Sequence, residues 1–508
     1  PFIMPQQVVL FLIDTQGANC VGTYAGIAEL GTPNIDRLAA EGVRFDTAYT
    51  CSPVCGPARS ALLTGLYPHA NGVLSNDQAP HLDIPTIGER LQKAGVATGY
   101  VGKWHLDGTD YFGHGNCPAG WSPDFWFDGR NYLDSLPDDN SRLLSRRVLT
   151  PEEISENGIT AEFTHAHRTA DKARAFIEAH ADQDFFLVVS IDEPHHPFIC
   201  PEPFASAFLD YKFPIGESFH DDLADKPRSQ REWAGHFSGA NGDVVVEEGR
   251  AFYRNPSYFG CNSFSDFEVG RVLEAIDRHV PDSMVIYTSD HGDMFHSHGL
   301  NGKGPVVYDE ICRIPFIIRG GTGVESGANS ASPVSHIDVV PTILDYFGEE
   351  LPPILQGKSL LPQCRDATQV VNDQVFIEFN RFEIDHDGFG AFSPIRAACD
   401  GRFKLAINLL DTDELYDLES DPAELRNLIH DEAHRTVRNR LHDLILDWQG
   451  HTRDVMRGPH WGRRVWRDVN ESTWGGPTRP RPFDDRFAPR TLLYDTGQVI
   501  EKFVYPKH

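Results

Sequence analysis

Three apolar runs constrain the fold of this chain more than any other feature. Val8-Val9-Leu10-Phe11-Leu12-Ile13, Phe185-Phe186-Leu187-Val188-Val189-Ser190-Ile191 and Met284-Val285-Ile286-Tyr287-Thr288-Ser289 are short, β-rich and almost without polar alternation. Strands buried on both faces read this way, and they belong to parallel sheets covered by helices on each side. The first run stops at Asp14 and the third at Asp290. A carboxylate at the carboxyl end of a central strand points into the crevice where open α/β sheets bind ligands. Asp14 taken alone reads equally as the cap of a strand-to-helix loop. Asp290 is followed by His291, so the two strand ends can bring oxygen and nitrogen ligand atoms to face each other across the sheet, although Asp290-His291-Gly292 taken alone reads equally as a capped turn.

Between these runs lies Cys51-Ser52-Pro53-Val54-Cys55-Gly56-Pro57-Ala58-Arg59-Ser60-Ala61-Leu62-Leu63-Thr64-Gly65. The pattern places Cys55 at the start of a helix, where free N–H groups and the positive dipole end favour an anion. Arg59, one turn on, shares its face. A buried cysteine followed by a surface arginine is the plainer alternative. Gly102-Lys103-Trp104-His105-Leu106 follows a short strand, Ala97 to Val101. A lysine and a histidine two apart on extended backbone project to one side, so both can face one anion, although an exposed lysine and a structural histidine fit equally. Prolines flank His195-His196 and fix an extended loop that aims the imidazoles. Lys303 sits between Gly302 and Gly304, whose backbone freedom lets a lysine reach inward.

The rest of the chain supplies a frame for these residues. Helices are expected from Thr32, over Ile84 to Ala94, over Ile159 to His180, and over about Phe252 to His279 with Phe267, Val269, Val272, Leu273 and Ile276 toward the core. Residues 117–149 and 201–250 read as irregular insertions, the first over the site. Three strand-like stretches after Gln374 and a helix through about Trp448 predict a small antiparallel sheet packed with a helix. The expected division is a catalytic α/β domain over 1–370, a carboxyl-terminal subdomain over 371–450 and a tail over 451–508. The tail is rich in Arg, Pro and Trp and wraps the core, completes a neighbouring subunit's site or holds a homo-oligomer together.

Composition bounds the partners. The net charge of −29 argues against nucleic acid and against an anionic membrane surface. Local cations must therefore hold any anionic substrate. Nine scattered cysteines in 508 residues read as reduced, buried thiols. No apolar run is long enough to span a bilayer, and the first strand begins too early for a signal peptide to precede it, so a cytoplasmic location is expected.

The run from Cys51 to Gly65, together with G-K-W-H-L, P-H-H-P-F, D-H-G and N-G-K-G in this order, resembles the sulfatase family. E-L-Y-D-L followed by D-P-A-E resembles that family's carboxyl-terminal subdomain. The resemblance implies an alkaline-phosphatase-like fold: a large, mostly parallel mixed sheet flanked by helices, with a smaller α+β unit. It also implies hydrolysis of sulfate monoesters, a sulfated carbohydrate being the expected substrate. Cys55 would be oxidised to formylglycine by a formylglycine-generating enzyme, and its hydrated aldehyde would be the nucleophile. Arg59, Lys103, His105, His195 and Lys303 would be catalytic, with Lys103, His195 and Lys303 binding substrate. Asp14, position 55, Asp290 and His291 would hold a divalent metal, calcium before manganese or magnesium. Three details depart from the family: Thr15 stands where a second aspartate is usual, Gly56 where Ser, Thr or Ala is common, and Leu66 where Arg or Lys is frequent. A phosphonate monoester or phosphate diester hydrolase with the same nucleophile is the alternative enzyme. A sulfated-glycan-binding protein that keeps the thiol is the non-enzyme alternative.

Overall fold

The computed structural model describes residues 5–137, 148–237, 243–383 and 392–467, with two short strand pieces at 491–492 and 499–500. The expected role of the tail beyond residue 467 lies outside the described residues, except for those two pieces.

Seven strands make the main sheet: β1 (Gln7–Ile13), β2 (Val43–Phe45), β3 (Ala97–Gly102), β4 (Phe185–Ile191), β5 (Met284–Ser289), β6 (Phe316–Arg319) and β7 (Ala328–Ser330). Their spatial order is β7-β2-β6-β5-β1-β4-β3. Only β6 runs against the others. The apolar run of β1 is central and every residue in it is buried, as a run without alternation requires.

Alternate residues of β1 enter two different cores. Val9, Phe11 and Ile13 pack with α1 (Pro33–Glu41), α3 (His165–Ala179) and α4 (Pro256–His279). Val8, Leu10 and Leu12 pack with α2 (Cys55–Thr64) and α5 (Val339–Tyr346). Helices thus cover both faces. Each such side chain taken from water contributes about 1.5–3 kcal/mol. Phe267 departs from expectation, being 46 % exposed. The core stripe of α4 passes through Phe264, Val269, Val272, Leu273 and Ile276, and Phe267 lies beside it.

In the second unit, β8 (Val375–Phe379), β9 (Ile395–Cys399), β10 (Phe403–Asn408) and β11 (Glu414–Asp417) form an antiparallel sheet in chain order. Helix α6 (Arg435–His451) packs on one face through Leu441, Ile445 and Leu446. The other face carries Val375, Ile377 and Ala397 into a core shared with Tyr49, Val54 and Ile311 of the main domain. This sheet therefore backs the segment that leads to Cys55.

The two segments read as irregular insertions contain more structure than expected. Residues 201–250 include a helix over Arg228–Phe237 and the strand Val244–Glu247, which pairs with Arg250–Tyr253. Residues 117–137 include a capped helix, Gly129–Asp134, closed by Asp128 and Asn131. The strand Val244–Glu247 and the helix Gly129–Asp134 are short, so hydrophobic periodicity marks them weakly. No helix of the described residues is long and apolar enough to cross a membrane. All nine cysteines are unpaired and eight are buried.

Candidate functional site

The register of the central strands builds the floor of the site. Ile13 lies level with Ile191 of β4 and Ser289 of β5. The next residue on each strand is an acid, so Asp14, Asp192 and Asp290 emerge side by side at one edge of the sheet. Asp192 was not singled out from sequence, although the rule that marks Asp14 marks it equally.

Cys55 is the first residue of α2, a helix buried over its whole length. Its Sγ lies 3.1 Å from His291 Nε2, 2.6 Å from Lys303 Nζ and 3.8 Å from Asp14 Oδ1. The helix start offers less to an anion than expected. The Gly56 N–H is already taken by Asn76 Oδ1 at 2.9 Å, and Pro57 has no N–H. A Cβ at position 56 would stand 3.2 Å from that same oxygen, a tight contact.

Arg59 lies beneath Cys55 and is fully buried. Nε donates to Asp290 Oδ2 and Nη2 to Asp14 Oδ2, each at 3.0 Å. Nη1 donates to the Lys103 carbonyl at 3.0 Å and to Ser190 Oγ at 2.8 Å. The guanidinium thus fixes one oxygen of each acid and leaves the other turned to the cluster. Burial opposes ionisation of Asp14, but Lys103, His195 and Arg59 around it hold its pKa well below the carboxylate range. Burial and the Asp14 charge push Asp290 up to about 6. Burial also opposes the Cys55 thiolate, as does Asp14, yet Lys303, Lys103 and His291 lower its pKa well below the ordinary thiol value.

Asp14, Cys55, Asp290 and His291 place one ligand atom each within 4.8 Å of one another. Their outer contacts suit a cation. The His291 Nδ1–H donates to the Gly292 carbonyl at 2.8 Å, which turns Nε2 toward the cluster as the ring's ligand atom. Thr15 adds no carboxylate but supports both acids. Its hydroxyl donates to Asp14 Oδ1 at 2.6 Å and its N–H to Asp290 Oδ1 at 3.1 Å. To do so it takes φ +57, a rare conformation for a β-branched residue. Two carboxylates and an imidazole oriented in this way can hold a hard divalent cation.

Lys103 and His105 are brought to the same place by a tight strand end. Gly102 has φ +104, and a Cβ there would stand 1.8 Å from the Ser190 carbonyl. Only glycine lets β3 pass β4 so closely. Lys103 Nζ lies 2.6 Å from Asp14 Oδ2 and 3.2 Å from Asp192 Oδ1, and it sits 3.8 Å over the Tyr111 ring. His105 Nε2 faces Asp77 Oδ1 at 3.1 Å. Burial works against its protonation, but the bond to Asp77 raises its pKa.

Lys303 lies on the other side of Cys55. His195 completes the ring of groups: its Nδ1–H donates to the His196 carbonyl at 2.7 Å, and its ring stacks on Tyr111 at 4.9 Å between centroids. The Tyr111 hydroxyl donates to Asp192. Tyr111 and Asp77 were missed from sequence because they stand in loop segments without periodicity.

Cys55, Lys103, His105, His195 and Lys303 all line one cavity of about 320 Å³, whereas Arg59 does not reach it. Asn76, Tyr111 and Asp192 line it too, and Phe382 and Glu383 of the second unit close one side. His196, expected to be structural or to face substrate rather than to be catalytic, is also on the wall. Lys103 and Lys303, His105 and His195, and a thiolate-favouring cysteine around one opening form a site for a small tetrahedral anion.

A mostly parallel sheet with such a strand-end acid cluster defines a hydrolase of the alkaline-phosphatase-like class. Residues 6–349 match the Sulfatase family model, and residues 297–451 match that of the N-sulphoglucosamine sulphohydrolase carboxyl-terminal region. The chain belongs to the sulfatase family and is a sulfuric ester hydrolase. It is 44% identical over 489 residues to the uncharacterized sulfatase YidJ of Escherichia coli strain K12, covering 96% of this chain and 95% of that one. The solved structure of BT4656 in complex with its substrate D-glucosamine-2-N,6-O-disulfate superposes with a TM-score of 0.71 at 20% identity, covering 89% of this chain and 99% of the other. A phosphonate monoester hydrolase from Silicibacter pomeroyi superposes with a TM-score of 0.71 at 23% identity, covering 88% and 96%. These two likenesses establish the shared fold.

Proposed function

We propose that the site hydrolyses sulfate monoesters of a carbohydrate, with a formylglycine made from Cys55 and a divalent cation held by Asp14, Asp290, His291 and position 55. The observation that carries this reading is the convergence of Lys103, Lys303, His105 and His195 on the buried Cys55, directly above the paired acids. When present, the cation supplies neutralising charge at the sulfate oxygens, and the formylglycine supplies, as its hydrate, a hydroxyl that attacks sulfur. An oxygen in place of sulfur at position 55 leaves three oxygen ligands and the His291 nitrogen, a set that suits a hard divalent cation; the family resemblance puts calcium before manganese or magnesium.

The chain's own groups divide the remaining work. Lys103 and Lys303 hold the non-bridging sulfate oxygens, where charge stabilisation is commonly the largest catalytic term. His195, whose Nδ1 is engaged by the His196 carbonyl, presents Nε2 as the donor of a proton to the leaving alcohol oxygen. His105, oriented by Asp77, receives the proton from the hydroxyl at position 55 when sulfate is released. Arg59 positions the two acids and touches no substrate.

The reading requires a formylglycine-generating enzyme as a maturation partner. Mass spectrometry of the peptide carrying Cys55, from cells that contain that machinery, tests it. Loss of the sulfur from residue 55 is the expected result. An intact thiol throughout an active preparation refutes the nucleophile, and in an inactive one it supports a glycan-binding protein.

A further inference from the structure

Two buried polar side chains on the cavity wall have no part in these steps. His165 opens α3, and Glu193 lies two residues past the end of β4. Both line the cavity and each is 6 % exposed. Among the described residues, neither ring nitrogen of His165 has a hydrogen-bond partner, and neither does Glu193 Oε2. His165 Nδ1 and Glu193 Oε2 are 3.8 Å apart, too far to bond each other. The rest of each side chain is fixed. Glu193 Oε1 accepts from the Ala166 N–H at 3.1 Å, in the first turn of α3. The His165 ring stacks on Phe127, 6.0 Å between centroids, and meets Tyr132 edge-on at 5.3 Å.

Buried donors and acceptors left without partners are costly, so a rigid pair of them facing a cavity calls for a partner from the cavity. A hydroxyl both donates and accepts. Standing about 2.8 Å from each atom, it spans the gap, donating to Oε2 and accepting from the imidazole N–H. An ammonium group would satisfy the carboxylate but leave the imidazole N–H without an acceptor. An aryl ring would satisfy neither.

We propose that His165 and Glu193 form a subsite that reads a hydroxyl of the alcohol portion of the substrate, so that the alcohol released is a polyol of the sugar class. This rests on the sulfate-ester reading above and specifies its substrate. The test uses the full-length enzyme, His165→Phe and Glu193→Gln. His165→Phe keeps the ring that packs on Phe127 and Tyr132 but removes both nitrogens. Glu193→Gln keeps an acceptor for Ala166.

The substrates are glucose, galactose and N-acetylglucosamine sulfated at the primary hydroxyl, against para-nitrophenyl sulfate, which has no hydroxyl. The readout is the ratio of kcat/KM on the best sugar sulfate to that on the aryl sulfate, with Tm followed in parallel. The wild type is expected to favour a sugar sulfate, and each variant to lower the ratio by about ten- to hundredfold. An unchanged ratio in folded variants overturns the subsite, and so does a wild type that cleaves the aryl sulfate but no sugar sulfate; in both cases the chain remains a sulfatase, and the second result also removes the carbohydrate from the function proposed above. If Glu193→Gln fails to fold, His165→Phe decides. Failure of the wild type on every sulfate overturns both.

Discussion

Replacing Lys103 by methionine removes one charge from the cluster while filling most of the space of the aliphatic stem. The side chain is 3 % exposed, and its ammonium lies against Asp14, Asp192 and the Tyr111 ring. Stability should fall only moderately, because Asp14 keeps Arg59 and Asp192 keeps the Tyr111 hydroxyl. A loss of about 1–3 kcal/mol is expected, below the 3–5 kcal/mol typical when a buried charge is left alone. The rate should fall much further. A preplaced donor aimed at developing charge is commonly worth about 2.7–4 kcal/mol, a hundred- to a thousandfold in kcat. The assay is kcat and KM on an aryl sulfate, with urea unfolding of the same preparation. A folded Lys103→Met protein within about fivefold of wild-type kcat would refute the assignment of Lys103 to the sulfate oxygens.

Further outcomes follow from the same geometry. Cys55→Ala should leave Tm nearly unchanged and reduce turnover below about one part in a thousand, and substantial residual rate in clean protein removes position 55 as nucleophile. Exhaustive chelation should abolish turnover and calcium should restore it, with elemental analysis reading the ion; full activity in metal-free protein refutes a catalytic cation. His442, far along the chain from the site, should make folding stability depend on pH. Burial together with the neighbouring Arg467 holds its pKa down to about 4, against 6.5 in an ordinary environment, and its ring sits between the Trp461 carbonyl and Arg467. Between these values the unfolded chain binds the extra proton, so this contribution is complete above about pH 6.5 and is lost as pH falls toward 4, by about 3 kcal/mol. Denaturant unfolding of wild type and His442→Gln across that range checks it, and parallel curves would refute it.

The strand ends were readable because local sequence alone sets them. A run such as Val8 to Ile13 has no polar alternation, so it must be buried on both faces, and Asp14 and Asp290 inherit their direction from the sheet. Asp192 carries the same signal after Ile191, but it stands next to the P-H-H-P-F segment, whose prolines and imidazoles are the more specific pattern. Tyr111, Asp77 and Asn76 carry no such mark. They reach the site through loops, and only the assembled fold shows that one stacks on His195, one holds His105 and one caps α2. Phe382 and Glu383 come from a unit more than three hundred residues along the chain from Cys55, a distance over which no periodicity speaks. Arg59 was placed on the face of Cys55 by helical spacing, but its bonds run down to the acids, because the burial of α2 leaves the guanidinium no route to the cavity. Phe267 failed for a related reason: spacing finds a helix face, and neighbours decide how far that face extends.

The most direct measurement is a side-by-side determination of kcat/KM on an aryl sulfate, an aryl phosphonate monoester and a phosphate diester with one preparation of matured enzyme. Lys103 and Lys303 flank Cys55 as two point charges around a small, terminal anionic group, whereas a phosphonate monoester or a phosphate diester carries an additional substituent where one of them stands. The account predicts that the sulfate monoester is cleaved with the highest kcat/KM. A preference of orders of magnitude for the phosphonate or the diester would contradict it.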